Sequence, residues 1–349
     1  MRVLLTGASG FVGAHVAAEL GRGGASVRAY CRSEPPPHAH VGDWVRGDVR
    51  DLELLKRAAA GCEAVVHAAA LVSYVRSDAA ASYEVNVSGT RNAIEAAAAA
   101  GARRVLVTSR AATCGPVPGR AASERDRPTA WELRIPYSRT KVLAEKLALQ
   151  AAAADGLDVL CVNPTTVVGA WDSRPTPAGR MIRDLVNERY VGYVRTSGIN
   201  VAGVGDVARG HVLALDRGRS GRRYILGGEN LSLRDTFALA MEAIGERPPS
   251  LPLPWSAVYG AALGAECTRR LTGRDPQLLV LDQVRLGRMP LFFSSDRARA
   301  ELGYEPHPAA EALASAARWF AGTRRPSAGR RRVLTHLRPS PLRRAAGHW

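Results

Sequence analysis

Along the first 164 residues, short β-branched runs alternate with longer alanine-rich stretches. RVLLT opens the series, a helical stretch runs to about Arg22, and SVRAYC, DWVRG, a helical stretch near 52–60, AVVHAA, another near 82–100 and RRVLVTS follow. Apolar runs bounded by turn residues predict buried strands, and apolar residues recurring every third or fourth position predict helices packed on them. A Gly/Pro-containing loop extends from Ser109 to about Pro136, after which a helix near 137–154 and the strand LDVLCVN continue the alternation. Strand–helix–strand units need crossover connections, so the pattern predicts an α/β domain over residues 1–164 with a doubly wound parallel sheet.

Beyond Pro164 the strand pattern thins, and helical segments are interrupted by Pro248-Pro249, Pro252 and Pro254. This predicts a smaller, mostly helical lobe over 165–320 covering the sheet's carboxyl edge, with further sheet elements returning from this half; substrate selectivity is expected there. A chain of 349 residues, 46% hydrophobic and 23% charged, suits one large domain with a smaller one appended. The stretch 255–272 (WSAVYGAALGAECTRRLT) is amphipathic at helical spacing, and docking on the core is expected rather than membrane contact.

Charge changes the picture only at the end of the chain. The net charge is +16, yet residues 321–349 hold eight arginines and no acidic residue, so half the excess belongs to a Pro/Gly/Ser-rich stretch read as a disordered basic tail. A solvated tail is expected, weak contact with an anionic membrane is the alternative, and no specific nucleic-acid partner is expected. Cys31, Cys62, Cys114, Cys161 and Cys267 lack CxxC or Cys/His spacing, which predicts neither a disulfide framework nor a metal site and fits a reduced, cytoplasmic setting. Glycines interrupt the apolar N-terminus, so it is not read as a signal peptide, and no run approaches the roughly 20 apolar residues of a membrane span.

Chemistry first appears in TGASGFVG, directly after the first strand. Gly7, Gly10 and Gly13 fall where the backbone turns tightly, approaches a pyrophosphate and lets a helix pack on the strand. The helix start at Phe11 and Val12 then offers unpaired N–H groups to the phosphates. A glycine loop between a strand and a helix, opening a strand–helix–strand unit, predicts a Rossmann domain and a dinucleotide cofactor. The second strand ends AYCRS, with Arg32 where NAD sites place a carboxylate for the ribose 2′-hydroxyl. A guanidinium clamps a 2′-phosphate, so NADP is expected, with NAD the alternative. Asp48, after the third strand, is expected at the adenine edge or as a helix cap.

The second signal is YSRTK, with Tyr137 and Lys141 one helical turn apart. A tyrosine with its ordinary pKa of about 10 is a poor base at neutral pH, and a neighbouring ammonium favours its ionised form. Only three of the 48 Lys and Arg residues are lysine (Lys56, Lys141, Lys146), which makes a lysine at this spacing conspicuous.

Together TGASGFVG, the pair Asp48-Val49, HAAA at 67–70, NVSGT at 86–90, YSRTK and VNPTTVVG at 162–169 resemble, in order and spacing, the extended short-chain dehydrogenase/reductases, also described as NAD-dependent epimerase/dehydratases. The resemblance covers about residues 1–320, and the stretch from NPTTVVG to YILGGENLSLRD is similar to the hopanoid-associated sugar epimerases, themselves close to dihydroflavonol reductases. It implies that Tyr137 is the general acid/base, that Lys141 binds the nicotinamide ribose and lowers the tyrosine pKa, and that Asn86 supports the site. Ala68, Ala69 and Val49 would line the cofactor, and the backbone after Pro164 would hold the nicotinamide amide. It also implies a homodimer formed through the helices near 82–100 and 137–154.

Two departures stand out. The family's strand-end pattern TSS reads Thr108-Ser109-Arg110 here, so Arg110 takes the place of the substrate-polarising serine. Its cation either polarises a carbonyl or holds an anionic group, or it swings outward and leaves Thr108 as the nearest hydroxyl. GVGDVA at 203–208 stands where the subgroup has HVDDVA. The implied activity is hydride transfer at a carbinol or ketone carbon of a sugar-like or hydrophobic substrate, as a reductase or an epimerase, possible settings including hopanoid or isoprenoid metabolism. The alternative is a cofactor-binding sensor or scaffold that has lost its chemistry.

Overall fold

The structure, a computed structural model, describes residues 1–74, 76–154, 157–272 and 280–323. The basic stretch 324–349 lies outside the described residues, and with it the expected tail contacts.

In β1 (Arg2–Thr6), Val3, Leu4 and Leu5 are all fully buried, so both faces of this strand are covered, as only a central parallel strand requires. Successive side chains alternate. Val3 and Leu5 join one apolar layer with Val16 and Leu20 of α1 (Phe11–Arg22), whereas Leu4 joins the opposite layer. The alternation continues through β2 (Ser26–Cys31), β3 (Asp43–Arg46), α2 (Leu52–Ala59), β4 (Ala64–His67), α3 (Ala79–Tyr83), α4 (Gly89–Ala99), β5 (Arg104–Thr108), α5 (Pro136–Ala154) and β6 (Asp158–Pro164). Between α3 and α4 the helix widens into a π turn at Glu84–Ser88, which carries Asn86. Ala93, Ala96, Ala97 and Ala148 are completely buried, and their small side chains bring α4 and α5 close to the sheet.

The chain leaves this sheet abruptly. Pro164 ends β6 and one residue later β7 (Thr166–Val168) enters a second sheet. There follow α6 (Pro177–Val186), β8 (Gly192–Val194), β9 (Gly198–Gly203), α7 (Val204–Arg217), β10 (Arg223–Leu226), β11 (Glu229–Ser232), α8 (Leu233–Glu242), β12 (Leu251–Leu253), α9 (Trp255–Thr272), α10 (Leu281–Leu286), α11 (Asp296–Leu302) and α12 (Ala309–Gly322). β10 returns to the large sheet, giving seven parallel strands in the order β10-β6-β5-β4-β1-β2-β3, and α7 covers the same face as α1. The helical second lobe packs Ile182, Leu185, Phe237, Met241, Leu313 and Phe320 into a separate apolar cluster.

Three expectations are corrected here. Strands are not sparse beyond Pro164: β11-β9-β7 and β12-β8 form two further small sheets, whose strands are mostly too short for an alternating pattern to register. Helix α9 packs on α10 rather than on the main core, burying Ala262 fully while Leu263 stays exposed. Helix α12 continues to Gly322, past the expected boundary at 320.

One buried ionic cluster ties β10 and β6, at one edge of the large sheet, to α5. Arg223 of β10 donates from Nη1 to Glu145 Oε1 of α5 at 2.6 Å, and its other nitrogens reach the carbonyls of Glu124 and Asp126. Glu145 Oε2 accepts from Thr113 Oγ1 at 2.8 Å and from Asn163 Nδ2 at 2.6 Å. Replacing one partner strands the other charge out of water. Arg223→Ala is therefore expected to cost about 3–5 kcal/mol of unfolding free energy in urea denaturation, and Arg223→Met combined with Glu145→Met is expected to recover most of that loss.

Candidate active site

The three glycines of the first turn are required for different reasons. Gly7 has φ +78°, and a Cβ there would lie 2.7 Å from the amide nitrogen of Ala69. At Gly13 a Cβ would lie 2.2 Å from the Gly7 carbonyl oxygen, so helix and turn close only on glycine. At Gly10 a Cβ would meet the Gly7 carbonyl oxygen at 3.3 Å, a tight contact relieved by a shift of a few tenths of an ångström, and the side chain would occupy the cleft. No side chain caps α1, whereas Asp51, Thr176 and Ser232 cap α2, α6 and α8. The first N–H groups of α1 are thus left for an anionic ligand.

A cleft of about 670 Å³ opens above this turn, lined by Gly7, Gly10, Phe11, Val12, Gly13, Arg32, Asp48, Val49, Ala68 and Ala69. Its far wall, Trp171–Thr176, comes from the loop between β7 and α6 and carried no sequence signal. Asp48 is already engaged: Arg50 donates to its carboxylate from Nε and Nη2, both at 2.9 Å, and holds its pKa below the usual range. It forms part of the cleft wall while so paired. His67 is fully buried, bonded through Nδ1 to Thr6 Oγ1 at 2.9 Å, and burial pushes its pKa down to about 3, so it is neutral.

Tyr137, Lys141, Asn86, Thr108, Arg110 and Pro164 do not line the open cleft; they gather beside it, at the carboxyl ends of β5 and β6 and the start of α5. Asn86 accepts from the Leu71 amide at 2.8 Å and donates to the Leu71 carbonyl and to Thr140 Oγ1, clamping the loop after β4 to α5. Lys141 donates from Nζ to the Thr108 carbonyl at 2.7 Å, and burial pulls its pKa down to about 8. The Tyr137 phenol is pushed up to about 12 by burial. The cation that opposes this shift is Arg110, not the expected Lys141; its guanidinium carbon stands 5.0 Å from the Tyr137 ring centroid. Tyr74, which the sequence did not single out, packs edge-on against the same ring at 5.6 Å.

Thr108 turns its hydroxyl the other way. Its Oγ1 lies 3.1 Å from Nε2 of the buried His211 on α7, across the sheet from α5. Since His211 Nδ1 lies 2.7 Å from the Val207 carbonyl, Nδ1 carries the proton and Nε2 accepts from Thr108. The outward alternative for Arg110 is corrected with it: Arg110 faces Tyr74 and Tyr137, and Thr108 is not left as the substrate's hydroxyl. Among the described residues, Ser109 Oγ, Arg110 Nη1 and Thr165 Oγ1 are buried without a hydrogen-bond partner. Such atoms call for a polar ligand, and with the glycine cradle they fit a dinucleotide and its substrate.

In the other departing motif, the retained Asp206 accepts from the His307 amide at 3.1 Å and anchors the approach to α12.

Residues 3–227 match the sequence model of the NAD dependent epimerase/dehydratase family. The chain belongs to this family. Among its relatives, a Synechocystis sp. protein named as dihydroflavonol 4-reductase-like is 36% identical over 90% of this chain and 93% of its own. The sterol demethylase protein B of Methylococcus capsulatus is 34% identical over 92% and 98%. The solved structure of MoeE5 in complex with UDP-glucose and NAD is 27% identical, with a TM-score of 0.72 over 91% of this chain and 98% of that one. Family membership makes this chain an enzyme of the extended short-chain dehydrogenase/reductase type, and among the described residues no helix is long and apolar enough to cross a membrane.

The glycine geometry separates folding from binding. Gly10→Ala is expected to keep thermal unfolding within a few degrees of the parent, yet weaken dinucleotide binding by about tenfold or more by blocking the backbone approach. Gly13→Ala is expected to lower the unfolding temperature sharply, because its methyl group meets backbone. Calorimetry and cofactor titration on both variants check the contrast.

Proposed function

We propose that the chain is an NADP(H)-linked oxidoreductase acting on a carbinol or ketone carbon of a sugar-like or hydrophobic substrate, with Tyr137 moving the proton of the reacting oxygen. The observation that carries this reading is the buried phenol of Tyr137 held against the Arg110 guanidinium, one helical turn from Lys141. When bound, the nicotinamide ring supplies the two-electron chemistry at the substrate carbon.

The residues around it supply the rest. Gly7, Gly10 and the start of α1 receive the pyrophosphate, Ala68 and Ala69 border the path beyond it, and Pro164 and Thr165 bound the nicotinamide end. Lys141, released from the Thr108 carbonyl, reaches the ribose hydroxyls. With its pKa up to about 12, Tyr137 carries its proton throughout the neutral range and suits donation to a carbonyl oxygen, the reductive direction. Arg110 Nη1 and Ser109 Oγ, both buried and unpartnered, are the groups available to polarise that carbonyl in place of the missing serine. Arg32 at the cleft wall, where NAD sites place a carboxylate at the strand end, supports NADP over NAD. The names of the sterol and UDP-glucose proteins support both substrate classes, and we propose the family's dimer through α4 and α5.

Arg110 in place of a serine favours a second reading, a cofactor-binding sensor without turnover. Incubation with NADPH and a panel of cyclic ketones and keto-sugars separates the two: consumption of NADPH is expected, and binding without consumption would establish the sensor.

Tyr137→Phe is expected to lower kcat by about 100-fold or more while changing NADPH affinity little, since it removes the proton donor and hardly any binding surface. Reduction is expected to be flat below about pH 8 and to fall above it, because Lys141, with a pKa lowered to about 8, loses its charge there while Tyr137 stays protonated. A pH-rate profile with a verified ketone checks the sign. In Arg110→Ser, loss of the cation beside the phenol is expected to raise the apparent pKa of any oxidative, tyrosinate-dependent rate.

A further inference from the structure

The end of β2 receives a second arginine from the other lobe. Arg174, in the loop between β7 and α6, donates from Nη2 to Ser33 Oγ at 3.0 Å across 141 positions of sequence. Ser33 follows Arg32, and both arginines line the cleft. Among the described residues neither Arg32 nor Arg174 forms an ion pair with a carboxylate; the nearby acid, Asp48, is taken by Arg50. Two guanidinium groups without an ion-paired carboxylate of their own thus border the same cleft, one of them bonded to Ser33, where a site for a bare ribose diol would offer a free acceptor.

The loop that delivers Arg174 is held in place. Trp171 has φ +71°, a left-handed conformation that costs a bulky residue energy and persists only where its surroundings impose it. Its ring stacks on His38 with centroids 4.8 Å apart and leans on Trp319 of α12 at 4.8 Å. Asp172 is buried and accepts from Thr176 Oγ1 at 2.7 Å, and Thr176 in turn caps α6 through the Gly179 amide at 3.0 Å. Arg174 is therefore presented from a braced segment.

We propose that Arg174, with Arg32 and Ser33, completes a site for the 2′-phosphate of the cofactor, so that the second lobe takes part in choosing NADP over NAD. The inference rests on the NADP reading above and extends it to a residue outside the strand end that normally sets cofactor choice. A phosphate monoester offers three acceptor oxygens and close to two negative charges. Two planar forks and a serine hydroxyl, whose own hydrogen is free while it accepts from Arg174, match that demand.

Titration of NADPH, NADH, 2′,5′-ADP and 5′-AMP against the parent chain, Arg174→Met and Arg32→Asp tests the site. Arg174→Met is expected to weaken NADPH and 2′,5′-ADP by about tenfold or more and to leave NADH and 5′-AMP within about twofold, one charge-assisted contact being lost. Arg174→Lys, keeping the charge without the fork, is expected to fall between the two. Unfolding temperature without ligand is expected to stay at the parent value, since Arg174 is exposed. An Arg174→Met protein that binds NADPH as the parent does, or weakens both cofactors by one common factor, overturns the proposal. If the parent prefers NADPH and Arg32→Asp removes that preference while Arg174→Met does not, this inference fails and the NADP reading stands. If the parent shows no preference, both fall.

Discussion

The buried pair of Glu145 and Arg223 is the interaction on which the geometry of the site depends. Glu145 lies one turn beyond Lys141, which lies one turn beyond Tyr137, so these side chains share one face of α5. Anchoring Glu145 to β10 fixes the rotation of that helix about its axis. The same carboxylate collects Thr113 and Asn163, and Asn163 Nδ2 also donates to the Arg110 carbonyl at 3.1 Å. Strand end, loop and helix are thereby set relative to one another by a single acid. Its charge-assisted hydrogen bonds are directional, as apolar contacts are not, and so hold one arrangement.

Within that frame Arg110 alters the chemistry more than its sequence position suggests. A serine hydroxyl both donates and accepts, whereas a guanidinium only donates and keeps its charge at every accessible pH. Burial raises the Tyr137 pKa and Arg110 opposes the rise, so acidity at this centre is a balance between low polarity and one nearby cation. Lys141 is itself depressed by burial and spends its proton on a backbone carbonyl, leaving the cationic influence on the phenol to Arg110.

The alternation of strands and helices through β6, the glycine turn and the placement of Tyr137 and Lys141 one turn apart on α5 were legible because each is local: spacing within a few residues carries the information. Most of what escaped is non-local. The orientation of Thr108 depends on strand parity at the very end of β5 and on His211, 103 positions away. One local feature escaped as well: Asp48 is engaged by Arg50, two residues on, in a sequence so rich in arginine that no single one draws notice. Strands of three residues, such as β7, β8 and β12, exist because a partner strand completes them, and their own pattern is too brief to show it.

The passage from β6 to β7 takes only Thr165, and the chain re-enters the large sheet at β10 after α7 has packed along its flank. A connection of one residue between two sheets leaves almost no torsional freedom, and the returning strand ties the lobe a second time. The two halves of the cleft are consequently joined at two places, at Thr165 and through β10. Side chains from both sides of that double tie line the one cleft, so a substitution on either side of Thr165 repaints a wall of the same space.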